Sequence, residues 1–138
     1  MSDYLLDTNI LILYLRKTEA YYQLLDGLAK DDTLYVSAIT RLEIIRGMHE
    51  RERKDTFDLL NSLETLEITI EIADQAGELI RSWRTRGTIL EDADAIIAAT
   101  ALNNSLALVT TNAKHFPMPD LVVYQADKYH HSPQCAGY

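Results

Sequence analysis

Short apolar runs alternate along the chain with longer segments in which apolar residues recur at helical spacing. The short runs predict strands at residues 4–6, 34–36, 66–70, 106–109 and 121–124. The longer segments predict helices from residue 8 onward and over 19–30, 40–49, 51–63, 72–86 and 92–103. Strands that alternate with helices are typical of parallel sheets, so the pattern predicts an α/β fold with a mainly parallel central sheet and helices on both faces.

Capping residues help to place the ends of these elements. Thr8 or Asn9 can supply the side-chain oxygen that caps the first helix, and Gly87 can close the helix predicted over 72–86. We predict one domain over residues 1–126. Residues 127–138 contain few apolar side chains and are predicted to form a flexible tail.

The composition indicates a globular domain of ordinary apolar content. The single cysteine, Cys135, excludes an internal disulfide and fits a reducing compartment. Residues 1–9 lack the basic residues of a signal peptide, and the apolar run over 5–15 is interrupted by polar residues and too short to span a membrane. We therefore predict a cytoplasmic protein with no membrane partner.

The net charge of −8, from 21 acidic and 13 basic residues, by itself argues against nucleic-acid binding. Two features weaken that objection. Basic residues cluster over 41–54 and 81–86, although most of these arginines can equally be solvated helix faces. Acidic residues that gather around divalent cations also reverse the local field that a phosphate meets.

Acidic and amide side chains follow several predicted strands. Asp7 ends the first strand, Glu43 lies near the start of the helix after the second, Asp92 and Asp94 begin a later helix, and Asn112 follows the strand at 106–109. Ligands bind at the carboxyl edge of open parallel sheets, so these side chains can converge there. Each alone could be a helix cap or a solvated charge; together they predict a site.

Such a cluster suits a hard divalent cation. Mg²⁺ and Mn²⁺ prefer oxygen ligands, and carboxylates without a cation would repel one another. A bound ion can activate water for attack on a phosphodiester. An aspartate-nucleophile phosphatase is a weaker alternative, because the residue two after Asp7 is Asn9, which cannot act as an acid.

Four segments in order resemble the motifs of PIN-domain nucleases. They are LLDTN at 5–9, TRLEIIRG at 40–47, DAIIAATA at 94–101 and LVTTN at 108–112. The resemblance extends from residue 3 to about 124 and is greatest to the VapC toxins of type II toxin–antitoxin pairs. It implies that Asp7, Glu43 and Asp94 hold Mg²⁺ or Mn²⁺ and the attacking water, and that Asn9 helps to orient Asp7.

The resemblance also assigns Thr110 and Asn112 to a polar loop at the fourth corner of the site, with Asn112 among the metal ligands. One position departs from the pattern, because His115 stands where many relatives have an acidic residue. If that acid supports a second metal, this chain holds only one tightly, unless Asp92 compensates.

The implied activity is metal-dependent cleavage of RNA, restrained by a VapB-type antitoxin that crosses the toxin groove. Homodimerisation is a further expectation. Two alternatives remain open at this stage: a PIN nuclease that processes RNA without an antitoxin, and a catalytically silent binding module. The presence of all three core acids, Asp7, Glu43 and Asp94, argues against the silent module.

Overall fold

A parallel five-stranded sheet forms the centre of the protein, in the strand order β3-β2-β1-β4-β5. The computed structural model describes residues 3–16, 19–29 and 33–126, so the predicted tail lies outside the described residues. The strands are β1 (Tyr4–Leu6), β2 (Leu34–Ser37), β3 (Glu64–Leu66), β4 (Ala107–Thr110) and β5 (Val123–Gln125). The α-helices are α1 (Thr8–Leu15), α2 (Glu19–Ala29), α3 (Ala38–Gly47), α4 (Arg53–Ser62), α5 (Ile70–Arg84) and α6 (Asp92–Asn103).

Strand β1 lies at the centre of the sheet and is covered on both faces. It pairs in parallel with β2 and with β4, so that Leu5 lies beside Tyr35 and Leu108. Leu6 packs on one face against a cluster from α1, α2, α3 and α4, while Leu5 packs on the other against α6 and the segment after β4. Both leucines are fully buried, as expected for an interior parallel strand. The predicted α/β fold with helices on both faces is confirmed.

The predicted strand over 66–70 is wrong. The third strand is Glu64–Leu66, which pairs with β2 from Tyr35↔Glu64 to Ser37↔Leu66. Thr69 then caps α5 by accepting a hydrogen bond from the Ile72 amide at 3.2 Å. This cap starts the helix at Ile70, where the apolar pattern suggested a strand.

The predicted start of the first helix at residue 8 is confirmed, but its predicted cap and the predicted start of the third helix are wrong. Asp7, not Thr8 or Asn9, is the N-cap of α1 and accepts a hydrogen bond from the Thr8 amide. Ser37 caps α3 through the Ile39 amide, so that helix begins at Ala38 rather than at residue 40. The segment predicted as one helix over 51–63 is a 3₁₀ turn, Glu50–Glu52, followed by α4.

Several other predicted ends shift by one or two residues. Helix α5 ends at Arg84 with Thr85 as its C-cap, so Gly87 lies in the following turn, where its φ of 87° suits glycine. Strands β4 and β5 begin at Ala107 and Val123 rather than at residues 106 and 121. Over the described ranges, the helices are too short or too polar to cross a membrane.

Candidate active site

One cleft at the carboxyl edge of the sheet collects the side chains that the sequence picked out. Asp7 follows β1, Glu43 lies in the second turn of α3, Asp94 lies in the first turn of α6, and Asn112 follows β4. These four residues line a cleft of about 630 Å³. The same cleft is also lined by Asn9, Arg46, Asp92 and His115. Because all strands are parallel, residues far apart in sequence meet at this edge.

Asp7 is held rigidly at the base of the cleft. Its Oδ1 accepts a hydrogen bond from the Thr8 amide at 2.8 Å, and its Oδ2 accepts one from the Thr110 hydroxyl at 2.6 Å. Burial raises the pKa of Asp7 and the charge of Glu43 adds to this, whereas the bonds from Thr110 and Thr8 and the nearby His115 lower it. Two hydrogen bonds therefore orient the Asp7 carboxyl, while burial and the charge of Glu43 disfavour its ionised form.

Two threonine hydroxyls position Glu43. The Thr8 hydroxyl donates to Glu43 Oε1 at 2.7 Å and lies 3.0 Å from the hydroxyl of Thr40, which is fully buried. A hydroxyl has a single proton, so Thr40 donates to Thr8 while Thr8 donates to Glu43. Sequence reasoning missed this relay, although Thr8 stands in the DTN motif and Thr40 three residues before Glu43.

Asp94 is the carboxyl that the cleft perturbs most visibly. Its pKa is raised from 3.8 to about 6, chiefly by burial, with further increases from the charges of Asp7, Glu43 and Glu91. His115 opposes the rise, with Nδ1 lying 3.6 Å from Asp94 Oδ2. Burial and the neighbouring carboxylates therefore both oppose ionisation of Asp94 in the cleft.

The supporting residues differ in what they do. The orientation of Asp7 that the resemblance assigned to Asn9 is provided by Thr8 and Thr110 in the described part of the chain, and Asn9 is exposed. Asp92 is also exposed and begins α6. Thr110 lies beneath the cleft, where its hydroxyl accepts a hydrogen bond from the backbone N–H of Asn112 at 3.0 Å.

Gln125 fixes the loop that carries Asn112 and His115, and sequence reasoning missed it. Its Nε2 donates to the Thr111 carbonyl at 2.6 Å, and its Oε1 accepts from the Ala113 amide at 2.8 Å. A glutamine on an edge strand carries no signal of this role, because its loop partners are defined only once the sheet has formed.

The donor set fits a hard cation that keeps part of its water shell. The cleft offers carboxylate and amide oxygens, the ligands that Mg²⁺ and Mn²⁺ prefer. Within residues 3–16, 19–29 and 33–126, no three His, Cys, Asp or Glu side chains lie close enough together to bind one ion directly. Magnesium is usually bound through one or two carboxylates and several waters, so the arrangement matches that mode.

The chain is similar to known proteins over most of its length. The sequence matches the PIN domain over residues 4–119. It is 37% identical over 114 residues to Ribonuclease VapC10 of Mycobacterium tuberculosis, an alignment that covers 83% of this chain and 86% of that protein.

Solved complexes show the same fold. VapBC2 from Rickettsia felis, bound to a DNA fragment from its promoter, superimposes with a TM-score of 0.78 at 27% identity, covering 90% of this chain and 98% of the other. A toxin–antitoxin complex from Klebsiella pneumoniae gives 0.75 at 30% identity, covering 90% and 100%.

Proposed function

The chain belongs to the PIN-domain family, and from that premise we propose that it is an endoribonuclease that depends on Mg²⁺ or Mn²⁺ and acts as the toxin of a toxin–antitoxin pair. The observation that carries the proposal is the set of carboxylates lining one cleft, in which burial, and then the charges of Asp7 and Glu43, raise the pKa of Asp94. Like charges brought together at this cost to the metal-free protein favour a site whose partner is a cation.

When bound, a divalent cation would supply positive charge to the phosphate oxygens and make a water molecule more acidic. The chain's own contribution is preorganisation. Asp7 is locked by Thr8 and Thr110, and Glu43 by Thr8, so these carboxylates need little reordering when substrate binds. Asp94 accepts no hydrogen bond from the described residues, which leaves its oxygens available to the cation or to water.

Arg46 supplies the cleft with a cationic side chain suited to an RNA phosphate. It lies one turn after Glu43 on α3, is exposed, and forms no ion pair within the described ranges. An arginine can bind a phosphate through two hydrogen bonds. Together with a bound cation, Arg46 would let a protein of net charge −8 hold a polyanion at this one place.

A cleavage assay with matched variants tests the proposal. Purified protein is incubated with a panel of tRNA and mRNA in Mg²⁺, Mn²⁺ or EDTA, beside Asp7→Ala, Asp94→Asn and the control Asp74→Asn. Asp74 is an exposed residue of α5 and does not line the cleft. We expect cleavage only with metal, its loss in both cleft variants, and full activity in the control.

Full activity in either cleft variant would contradict the proposed site. Absence of cleavage on every substrate, combined with tight binding to the product of a neighbouring antitoxin gene, would instead favour the silent binding module. Co-purification with that product tests the antitoxin partner directly. The cytoplasmic location and the homodimer stay predictions.

A further inference from the structure

We propose that His115 contributes an imidazole nitrogen to cation binding beside Asp94, so that the cleft prefers Co²⁺ and Zn²⁺, and to a lesser degree Mn²⁺, over Mg²⁺. The inference rests on the metal-dependent function proposed above and adds a selectivity to it. The observation behind this inference is that a ring nitrogen of His115 faces the Asp94 carboxylate inside the cleft.

The distance between the two side chains suits two ligands of one ion. His115 Nδ1 lies 3.6 Å from Asp94 Oδ2, which is beyond hydrogen-bonding range. Metal–ligand bonds of about 2.1 Å place neighbouring donors about 3.4 Å apart at a tetrahedral ion and about 3.0 Å apart at an octahedral one. Small side-chain rotations that move the two atoms together by a few tenths of an ångström would let both bind one cation.

The fold fixes the backbone at both His115 and Asp94. His115 ends the 3₁₀ turn Ala113–His115, which Gln125 holds through the Ala113 amide, and the next residue, Phe116, is buried in the core. Asp94 precedes Ala95, which is fully buried on α6. The backbone positions of the two residues are therefore set by core packing rather than by a free loop.

The chemistry of the nitrogen donor sets the expected preference. Imidazole suits later first-row ions, and affinity rises along the series from Mn²⁺ through Co²⁺ towards Cu²⁺, with Zn²⁺ also strongly bound. Mg²⁺ prefers an all-oxygen shell and gains little from nitrogen. Replacing His115 should therefore weaken Co²⁺ and Zn²⁺ binding far more than Mg²⁺ binding.

Metal titration of the whole chain tests this without using activity as the readout. Calorimetry gives the affinities for Mg²⁺, Mn²⁺, Co²⁺ and Zn²⁺, and visible absorption reports nitrogen ligation of Co²⁺. His115→Gln is compared with Lys114→Gln, an exposed neighbour in the same turn that does not line the cleft. Every protein carries His130→Gln, His131→Gln and Cys135→Ser, because those side chains can bind the same ions.

We expect His115→Gln to weaken Co²⁺ and Zn²⁺ binding by about tenfold or more, to change the Co²⁺ spectrum, and to leave Mg²⁺ affinity within about threefold. Lys114→Gln should change none of these. Unchanged Co²⁺ binding in His115→Gln, or an equal loss for Mg²⁺, would overturn the role of His115. In that case Mg²⁺ binding that still requires Asp7 would leave the proposed nuclease site intact. Failure of the parent protein to bind any divalent cation would overturn both proposals.

Discussion

Replacing Asp94 with asparagine should stabilise the metal-free protein at neutral pH while abolishing cleavage. The pKa of Asp94 rises from 3.8 to about 6 on folding, so the ionised carboxylate opposes folding. At about 1.4 kcal/mol for each pKa unit, the upper limit is about 3 kcal/mol. The side chain is 22% exposed, so solvent screening reduces this figure. Loss of a favourable charge in the first turn of α6 removes a further ~0.3–1 kcal/mol, which leaves a net gain of about 1–2 kcal/mol.

The stability difference between the parent and Asp94→Asn should depend on pH, in a direction set by the raised pKa of Asp94. An acid whose pKa is raised in the folded state binds more protons when folded than when unfolded between its two pKa values. The destabilisation by Asp94 is therefore complete above pH 6, declines as the pH falls from about 6 to 3.8, and is absent below. The advantage of Asp94→Asn should be largest near pH 7.5 and should vanish near pH 4.

Urea denaturation in EDTA at these two pH values measures the free energy of unfolding, with Asp74→Asn as the control for loss of a negative charge. A variant less stable than the parent at pH 7.5, or a gain of equal size at pH 4, would refute the electrostatic reasoning. In saturating Mg²⁺ or Mn²⁺ the parent should become more stable than Asp94→Asn, because a cation that binds only the folded parent stabilises it by mass action.

Substitutions at three further positions test the supporting structure. Thr110→Val removes the hydroxyl that donates to Asp7 Oδ2 and should cost about 1–2 kcal/mol in urea denaturation and reduce cleavage, whereas Thr110→Ser should retain both. Gly87→Ala should lower stability by about 1–2 kcal/mol in thermal denaturation, because its φ of 87° is strained for alanine. Gly77→Ala should instead raise stability by about 0.5–1 kcal/mol, because Gly77 lies inside α5 and an added methyl group has no atom within 4 Å. A stabilised Gly87→Ala or a destabilised Gly77→Ala would contradict this account of the backbone.

The interior of the sheet was predictable because burial on both faces leaves an unbroken apolar run. Leu5 and Leu6 occupy opposite faces of β1, and both must be apolar whatever the neighbouring strands are. The edge of the sheet was not predictable in the same way. Glu64 in β3 is exposed, and Ile70, which the pattern placed in a strand, is 77% exposed at the start of α5. Neither side chain is constrained by packing enough to reveal its element.

The carboxylates of the cleft were predictable because their position follows from topology. Once all strands run parallel, Asp7 and Asn112 must lie at the same edge of the sheet. The hydrogen bonds that orient them were not, because a threonine hydroxyl accepts many partners and the choice depends on three-dimensional neighbours. The contact between Thr8 and Glu43 joins residues 35 apart, and local sequence gives no preference for it.

The hydrogen bond from Thr110 to Asp7 spans 103 residues and has a consequence for synthesis on the ribosome. Strand β1 is made early but lies between β2 and β4, so its central place in the sheet stays incomplete until β4 has been translated. At about 5–20 residues per second, that delay is roughly 5–20 seconds. Throughout this interval Asp7 lacks the Thr110 hydroxyl, and for most of it Asp94 has not been translated either. The proposed nuclease site would therefore be incomplete until β4 has been translated and has paired with β1.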